Sequence, residues 1–181
     1  FGVEIYGGKG ADTDAEVISL AYSLLTKLGL SVELNLNSMG CPTCRGEYNK
    51  ALKAYFADKK DKLCPTCRVR YEKNPLRILD CKEEGCKAMC KDAPKITDYL
   101  CDDCKAHFEK LKELLGAIGI SYKVNPYIVR GLDYYTRTVF EFVTTALGSQ
   151  GTVCGGGRYD NLISSLGGQP TSGVGFGMGL E

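Results

Sequence analysis

The sequence predicts an α+β fold in which a mainly helical, cysteine-rich insert interrupts a domain with strand-rich ends. Three observations carry this reading. Strand-period alternation lies toward both ends of the chain, helical spacing governs the middle, and the close cysteine pairs fall between positions 41 and 104 while the glycine-rich stretches follow position 130. With 181 residues, 44% hydrophobic and 25% charged, and a net charge of +1, the chain has the composition of a globular protein with one or two cores. It has no apolar run near the roughly 18 residues of a membrane span and no basic segment leading into an apolar one, so neither a membrane nor a secretion signal is expected. Phe1 opens the chain and Glu181 follows a glycine-rich apolar stretch, so both ends read as cut and an internal piece of a longer protein is expected.

The elements follow in order. Thr13 and Glu16 have capping-box spacing, and Val17, Ala21, Leu24, Leu25 and Leu28 recur at helical intervals before Gly29, which predicts a helix over 14–28. Val32, Leu34 and Leu36 alternate with Glu33, Asn35 and Asn37, a strand with one covered face. Helical spacing returns over Gly46–Lys62 and Asp102–Leu115, the second with Phe108, Leu111, Leu114, Leu115 and Ile118 on one side. Ile120–Val124 and Thr138–Thr144 read as strands, and a helix is expected to begin near Arg158 or Tyr159. The resulting division is 1–38, an insert over 39–125, and 126–181.

Residues 41–125 hold 18 of the 23 lysines and arginines and 13 of the 22 acidic residues, a net +5 against −4 elsewhere. That balance fits a nucleic-acid contact or simply a solvated mixed-charge surface. Metal would reduce it, because four thiolates around a zinc ion contribute about −2.

Eight of the ten cysteines form close pairs: Cys41/Cys44, Cys64/Cys67, Cys81/Cys86 and Cys101/Cys104. Such spacing suits tetrahedral structural zinc better than a disulfide framework, and it points to a reducing cytoplasm. The preferred arrangement is Cys41, Cys44, Cys64 and Cys67 on one ion and Cys81, Cys86, Cys101 and Cys104 on another, with a single site or metal-free thiols as alternatives. Cys90 and Cys154 are read as small buried hydrophobes. The sole histidine, His107, is expected at the surface.

Two segments carry candidate chemistry. In VRGLDYYTRTVFEF, from Val129 to Phe142, Arg130, Asp133, Tyr134, Tyr135 and Arg137 stand beside a strongly apolar strand. A fixed guanidinium there can bind phosphate or carboxylate and a tyrosine can read a polar edge, or Arg130 and Arg137 can simply pair with Asp133. In GTVCGGGRYDNL, three glycines precede Arg158, Tyr159 and Asp160, which fits close ligand approach or an ordinary turn between strand and helix. GVGFGMGLE reads as a strand kept small beneath a flat ligand, or as a tightly packed central strand.

Together, RGLDYYT with TVFEF, SQGTV followed by GGGRYD, and GVGFGMGLE resemble the histidyl-tRNA synthetase family in order and spacing. FGVEIYGGKGADTDAE resembles the end of its second class II motif, and KNPLRILDCK and DAPKITDYL resemble bacterial members. The resemblance implies part of a class II antiparallel sheet flanked by helices, from an enzyme that joins histidine to tRNA(His) through histidyl-adenylate, using ATP with magnesium, as a homodimer. It places Arg130 beside the α-phosphate and substrate carboxylate, and Glu4 and Tyr135 on the imidazole. Tyr159 closes the pocket, with Gly156 and Gly157 as its backbone wall. It also lays the insert over the tRNA acceptor arm, where Lys50, Lys53, Lys59 or Lys60 would meet phosphates. The family's first motif and the arginines of the second and third lie outside this sequence, so residues 1–181 alone are expected to be inactive. The competing readings are a synthetase-like regulatory subunit of histidine biosynthesis and a zinc-organised RNA-binding module.

Overall fold

The computed structural model describes residues 1–129, 134–144 and 151–179. Its elements are β1 (Gly2–Tyr6), α1 (Ala11–Lys27), β2 (Glu33–Ser38), α2 (Pro42–Phe56), α3 (Pro65–Lys73), α4 (Glu84–Cys90), α5 (Asp102–Ala117), β3 (Tyr122–Val124), β4 (Thr136–Thr144), β5 (Gly151–Arg158), α6 (Leu162–Ser165) and β6 (Gly173–Met178). Short 3-10 turns cover Ala57–Lys62, Pro75–Ile78 and Ile96–Tyr99. Among the described residues no helix is long and apolar enough to cross a membrane.

The strands form one sheet in the order β1-β6-β5-β4-β2-β3, antiparallel except at the β2/β3 edge. That exception follows from connectivity, since a parallel neighbour needs a long crossover and everything from Met39 to Ser121 lies between β2 and β3. The predicted antiparallel sheet flanked by helices is therefore what the chain builds.

Two apolar cores form among the described residues. One packs α1, α5 and one sheet face through Ile18, Leu25, Leu36, Leu111, Phe140 and Phe176. The other gathers the middle of the chain around Tyr48, Leu52, Phe56 and Ile78, and reaches the sheet at Tyr135, Val139 and Tyr159. Helix α5, assigned by sequence to the insert, thus presents its apolar stripe to α1 and the sheet.

Several local expectations are corrected. Helix α1 begins at Ala11 after Gly10, with no side-chain cap, so Thr13 lies within the first turn rather than ahead of it. Both faces of β2 are covered: Asn35 and Asn37 are buried, and Asn37 donates to the Ile128 carbonyl at 3.2 Å. The helix expected over 46–62 starts earlier, with Pro42 in its first turn, and yields to the 3-10 turn after Phe56. No helix starts at Arg158, because the three glycines are strand residues of β5. Gly155 and Gly157 pair with Gly177 and Gly175 of β6, and the next helix is α6.

Candidate functional site

The glycines of β5 and β6 place a cup of polar side chains on one sheet face. Glu4 pairs in register with Gly175, and Gly175 with Gly157, so the three stand in a row across β1, β6 and β5. A methyl group on Gly175 would overlap the Glu4 carboxylate, and one on Gly157 would lie 2.8 Å from Cδ1 of Tyr135. These two backbones are therefore the floor on which Glu4 and Tyr135 rest, a close approach that only glycine allows. Gly156 points the other way, toward Phe140 and Phe176 in the core, so of the two glycines assigned to the pocket wall only Gly157 faces the cup.

Tyr159 closes the cup. Its ring covers Gly173, its amide donates to the Gly173 carbonyl at 2.8 Å, and its hydroxyl donates to the Glu4 carboxylate. Tyr134 meets Tyr159 edge-on at 5.9 Å and lies 4.8 Å from Tyr135 between ring centroids. Burial, and then the bond to Glu4, push the Tyr159 phenol well above its ordinary range. A carboxylate and two phenols thus lie on one glycine-floored sheet face, with groups able to accept and donate hydrogen bonds to a planar polar ligand. Beyond Tyr135 a cavity of about 410 Å³ opens between sheet and insert, lined by Met39, Arg45, Asn49, Lys73 and Leu76 among others. Arg130 and Asp133 lie outside the described residues.

A buried charge cluster supports the same segment. Arg158, fully buried, uses all five donors: Nε and Nη2 reach Asp14 Oδ1 at 2.9 and 2.5 Å, Nη1 reaches the Gly8 carbonyl and Asp160 Oδ1 at 2.8 and 3.0 Å, and Nη2 reaches the Gly10 carbonyl at 3.0 Å. The pair of Arg158 with Asp160 is thus structural and includes Asp14. The other oxygen of Asp14 accepts from Thr138 and from His107 Nε2, the latter at 2.7 Å. Nδ1 of His107 lies 3.2 Å from Arg137 Nη1, which assigns the imidazole its Nε2–H tautomer. Burial alone would raise the Asp14 carboxyl, but the bonds from His107 and Arg158 and the guanidinium charge outweigh it and hold the group below its usual range.

His107 is accordingly buried, not at the surface. The signal was present: Cys104, His107, Phe108, Leu111 and Leu115 are spaced as one helical face. Asp14 was missed because an acid in a first turn ordinarily reads as a solvated partner of the helix dipole.

The eight paired cysteines form two groups of four, each with all four sulfurs within 4.8 Å of one another. The groups are Cys41, Cys44, Cys101 and Cys104, and Cys64, Cys67, Cys81 and Cys86, which overturns the pairing preferred from sequence. The reason is helix length. The 15 residues of α2 carry the chain about 22 Å away from Cys41 before Cys64 is reached, and the return through α3 and α4 brings Cys101 back. Cys90 and Cys154 are buried outside both groups, as expected. Burial alone would raise Cys41, but hydrogen bonds from the Cys44 amide and thiol, and from the Thr43 amide, hold it at about 6.

Lys50, Lys53, Lys59 and Lys60 each have a partner within the insert: Glu47 at 2.8 Å, the Glu72 carbonyl at 3.3 Å, the Tyr55 carbonyl at 2.8 Å and the Glu72 carboxylate at 2.5 Å.

The family described as histidyl-tRNA synthetase matches residues 76–181, more than half of the chain. A histidine–tRNA ligase of Caldanaerobacter subterraneus subsp. tengcongensis is 61% identical over 100% of this chain, which covers 44% of that protein. One from Caldicellulosiruptor bescii is 59% identical over 100% of this chain and 43% of its own length. The crystal structure of apo S. aureus histidyl-tRNA synthetase superposes with a TM-score of 0.79 and 37% identity over 99% of this chain and 44% of that one. The chain therefore spans less than half the length of these relatives. By the extent of the family match and this likeness along its whole length, the chain belongs to the histidyl-tRNA synthetase family.

Proposed function

We propose that the chain supplies part of a histidine–tRNA ligase, which activates histidine with ATP and magnesium to histidyl-adenylate and passes the acyl group to tRNA(His). The observation that carries this reading is the cup of Glu4, Tyr135 and Tyr159 over Gly157 and Gly175. An imidazole presents one N–H donor and one acceptor nitrogen, and a carboxylate beside a phenol satisfies both. The Tyr159 hydroxyl donates to Glu4, so substrate would displace that hydroxyl and Tyr159 would close over the pocket. Arg130 takes the role of stabilising charge that develops between the α-phosphate and the carboxylate.

In this reading residues 1–38 and 126–181 are catalytic and 39–125 are inserted over the tRNA acceptor arm. Phosphates would replace the internal partners of Lys50, Lys53, Lys59 or Lys60. The whole enzyme works as a homodimer in the cytoplasm, with magnesium entering alongside ATP and zinc entering as a structural ion on the cysteine groups. Residues 1–181 alone, under half of the relatives' length, are inactive.

Histidine-dependent ATP–pyrophosphate exchange tests this in the chain extended to the relatives' full length. Loss of a charged hydrogen bond costs about 1.5–3 kcal/mol, roughly 10- to 150-fold. Glu4→Gln and Tyr135→Phe should raise KM for histidine by about tenfold or more while KM for ATP stays within about twofold. An unchanged KM for histidine in both variants would overturn the assignment.

A further inference from the structure

We propose that each cysteine group holds one structural zinc ion, and that the ion at Cys41, Cys44, Cys101 and Cys104 clasps the two roots of the insert. The inference stands on sulfur geometry and chain path and does not depend on the ligase reading.

Tetrahedral zinc with Zn–S near 2.3 Å requires sulfurs about 3.8 Å apart. The observed separations are 3.5 Å for Cys41 to Cys44, 4.0 Å for Cys41 to Cys101 and 3.9 Å for Cys64 to Cys81. All are too long for a disulfide near 2.05 Å and right for four thiolates around one ion. Backbone amides support the sulfurs: Cys101 N–H donates to Cys44 Sγ at 3.1 Å, and Cys67 and Cys64 N–H donate to Cys64 and Cys86 Sγ, each at 3.4 Å. Cys41, Cys64 and Cys101 each stand immediately before a helix, so three helix N-termini face the negative charge that four thiolates leave on a zinc centre.

The two groups have different tasks. Cys41 follows β2 by three residues, and Cys101 directly precedes α5, which packs on α1; the first group therefore joins the points where the insert departs and returns. Its approach to the sheet is fixed on both sides. The Met39 amide donates to the Arg137 carbonyl and the Arg137 amide to the Gly40 carbonyl, at 2.5 and 2.8 Å. Gly40 adopts φ +60°, and a Cβ there would lie 2.5 Å from Cβ of Cys44, so only glycine permits the turn into the cluster. The second group ties α3 to Cys81 and to α4 inside the insert. Each group has one half-buried cysteine, Cys41 or Cys64, and the two differ in that Cys101 of the first is exposed while the remaining cysteines of both are buried, so a chelator should reach the root ion first.

The test is elemental analysis of the reduced chain combined with mass-spectrometric mapping of alkylated cysteines. Two zinc ions per chain are expected, with eight protected thiols. Cys104→Ser should retain one ion and expose Cys41, Cys44 and Cys101 while Cys64, Cys67, Cys81 and Cys86 stay protected, and Cys67→Ser should do the reverse. Each variant is the folding control for the other. Cys90→Ala and Cys154→Ala should keep both ions. Fewer than one zinc per chain with all eight thiols reactive, iron in place of zinc, or deprotection of Cys81 and Cys86 by Cys104→Ser would each overturn the proposal.

Discussion

Replacing Asp14 by alanine should destabilise the chain more than its place in the first turn of a surface helix suggests. The carboxylate is fully buried and accepts from Arg158 Nε and Nη2, His107 Nε2 and Thr138 Oγ1, so its loss strands four donors and leaves a buried guanidinium with Asp160 as its remaining acidic partner. Breaking a buried pair from one side costs about 3–5 kcal/mol, against a total stability of roughly 5–15 kcal/mol. At about 2–4 °C per kcal/mol for a chain of this size, the melting temperature should fall by roughly 6–20 °C. The pH dependence is a second check. The carboxyl is held below its ordinary value of 3.8, so its contribution is complete above that pH and fades as pH falls toward the folded-state value. In thermal unfolding followed by circular dichroism, the gap between the wild type and Asp14→Ala should therefore narrow below about pH 4. Asp14→Leu combined with Arg158→Met removes both charges and should recover part of the loss. A melting temperature within about 2 °C of wild type, or a gap that widens in acid, would show that the cluster does not hold the fold as argued.

The glycine floor and the buried phenols give two further checks. Gly157→Ala places a methyl 2.5 Å from the Thr138 carbonyl and 2.8 Å from the Tyr135 ring, so it should cost about 1–3 kcal/mol and, in the full-length enzyme, raise KM for histidine as Tyr135 is displaced; a neutral effect on both would refute the close contact. Tyr48 and Tyr159 are raised above their ordinary 10.0, first by burial, so each contributes stability that is intact below that pH and lost as pH rises. In an absorbance titration both should ionise only on alkaline unfolding, and Tyr159→Phe should leave the part of the curve that precedes unfolding unchanged.

What could be read in the sequence was what is local. Helix α5, the strand of alternating glycines at β6 and the three C-x-x-C pairs each declare themselves within a dozen residues, because periodicity and ligand spacing are properties of short stretches. The cysteine partners were not legible, since they depend on where a 15-residue helix delivers the chain. Nor was the extended state of Gly155–Gly157, which is settled by their neighbours Gly175 and Gly177 twenty residues on. The cup itself was legible only as a resemblance. Glu4 and Tyr159 are 155 positions apart, and nothing in the spacing of either announces that they touch.

The same long-range logic predicts that the insert is separable from the sheet. Among the described residues, every buried member of the sheet-side core comes from 11–36 or from 108 onward, and from 41–100 only the half-buried Leu100 packs against it. The exit helix is held at successive turns, Cys104 to the root cysteines and His107 to Asp14, so α5 belongs mechanically to the sheet even though it follows the insert directly. The sulfurs of Cys41 and Cys101 are 4.0 Å apart, a gap that a short turn can span. Replacing residues 42–100 by a glycine-containing turn should therefore leave a chain that folds cooperatively around α1, α5 and the sheet. The cost falls on Ile128, Tyr135, Val139 and Tyr159, which pack against the insert and would meet water. At about 1.5–3 kcal/mol per side chain uncovered in full, full exposure of all four would cost an amount comparable with a domain's whole stability, and partial exposure less, so the excised chain should melt well below the parent yet still in a single transition. A non-cooperative melt, or loss of the near-ultraviolet signal of Tyr22 packed on Phe142, would show instead that the sheet depends on the insert for its own fold.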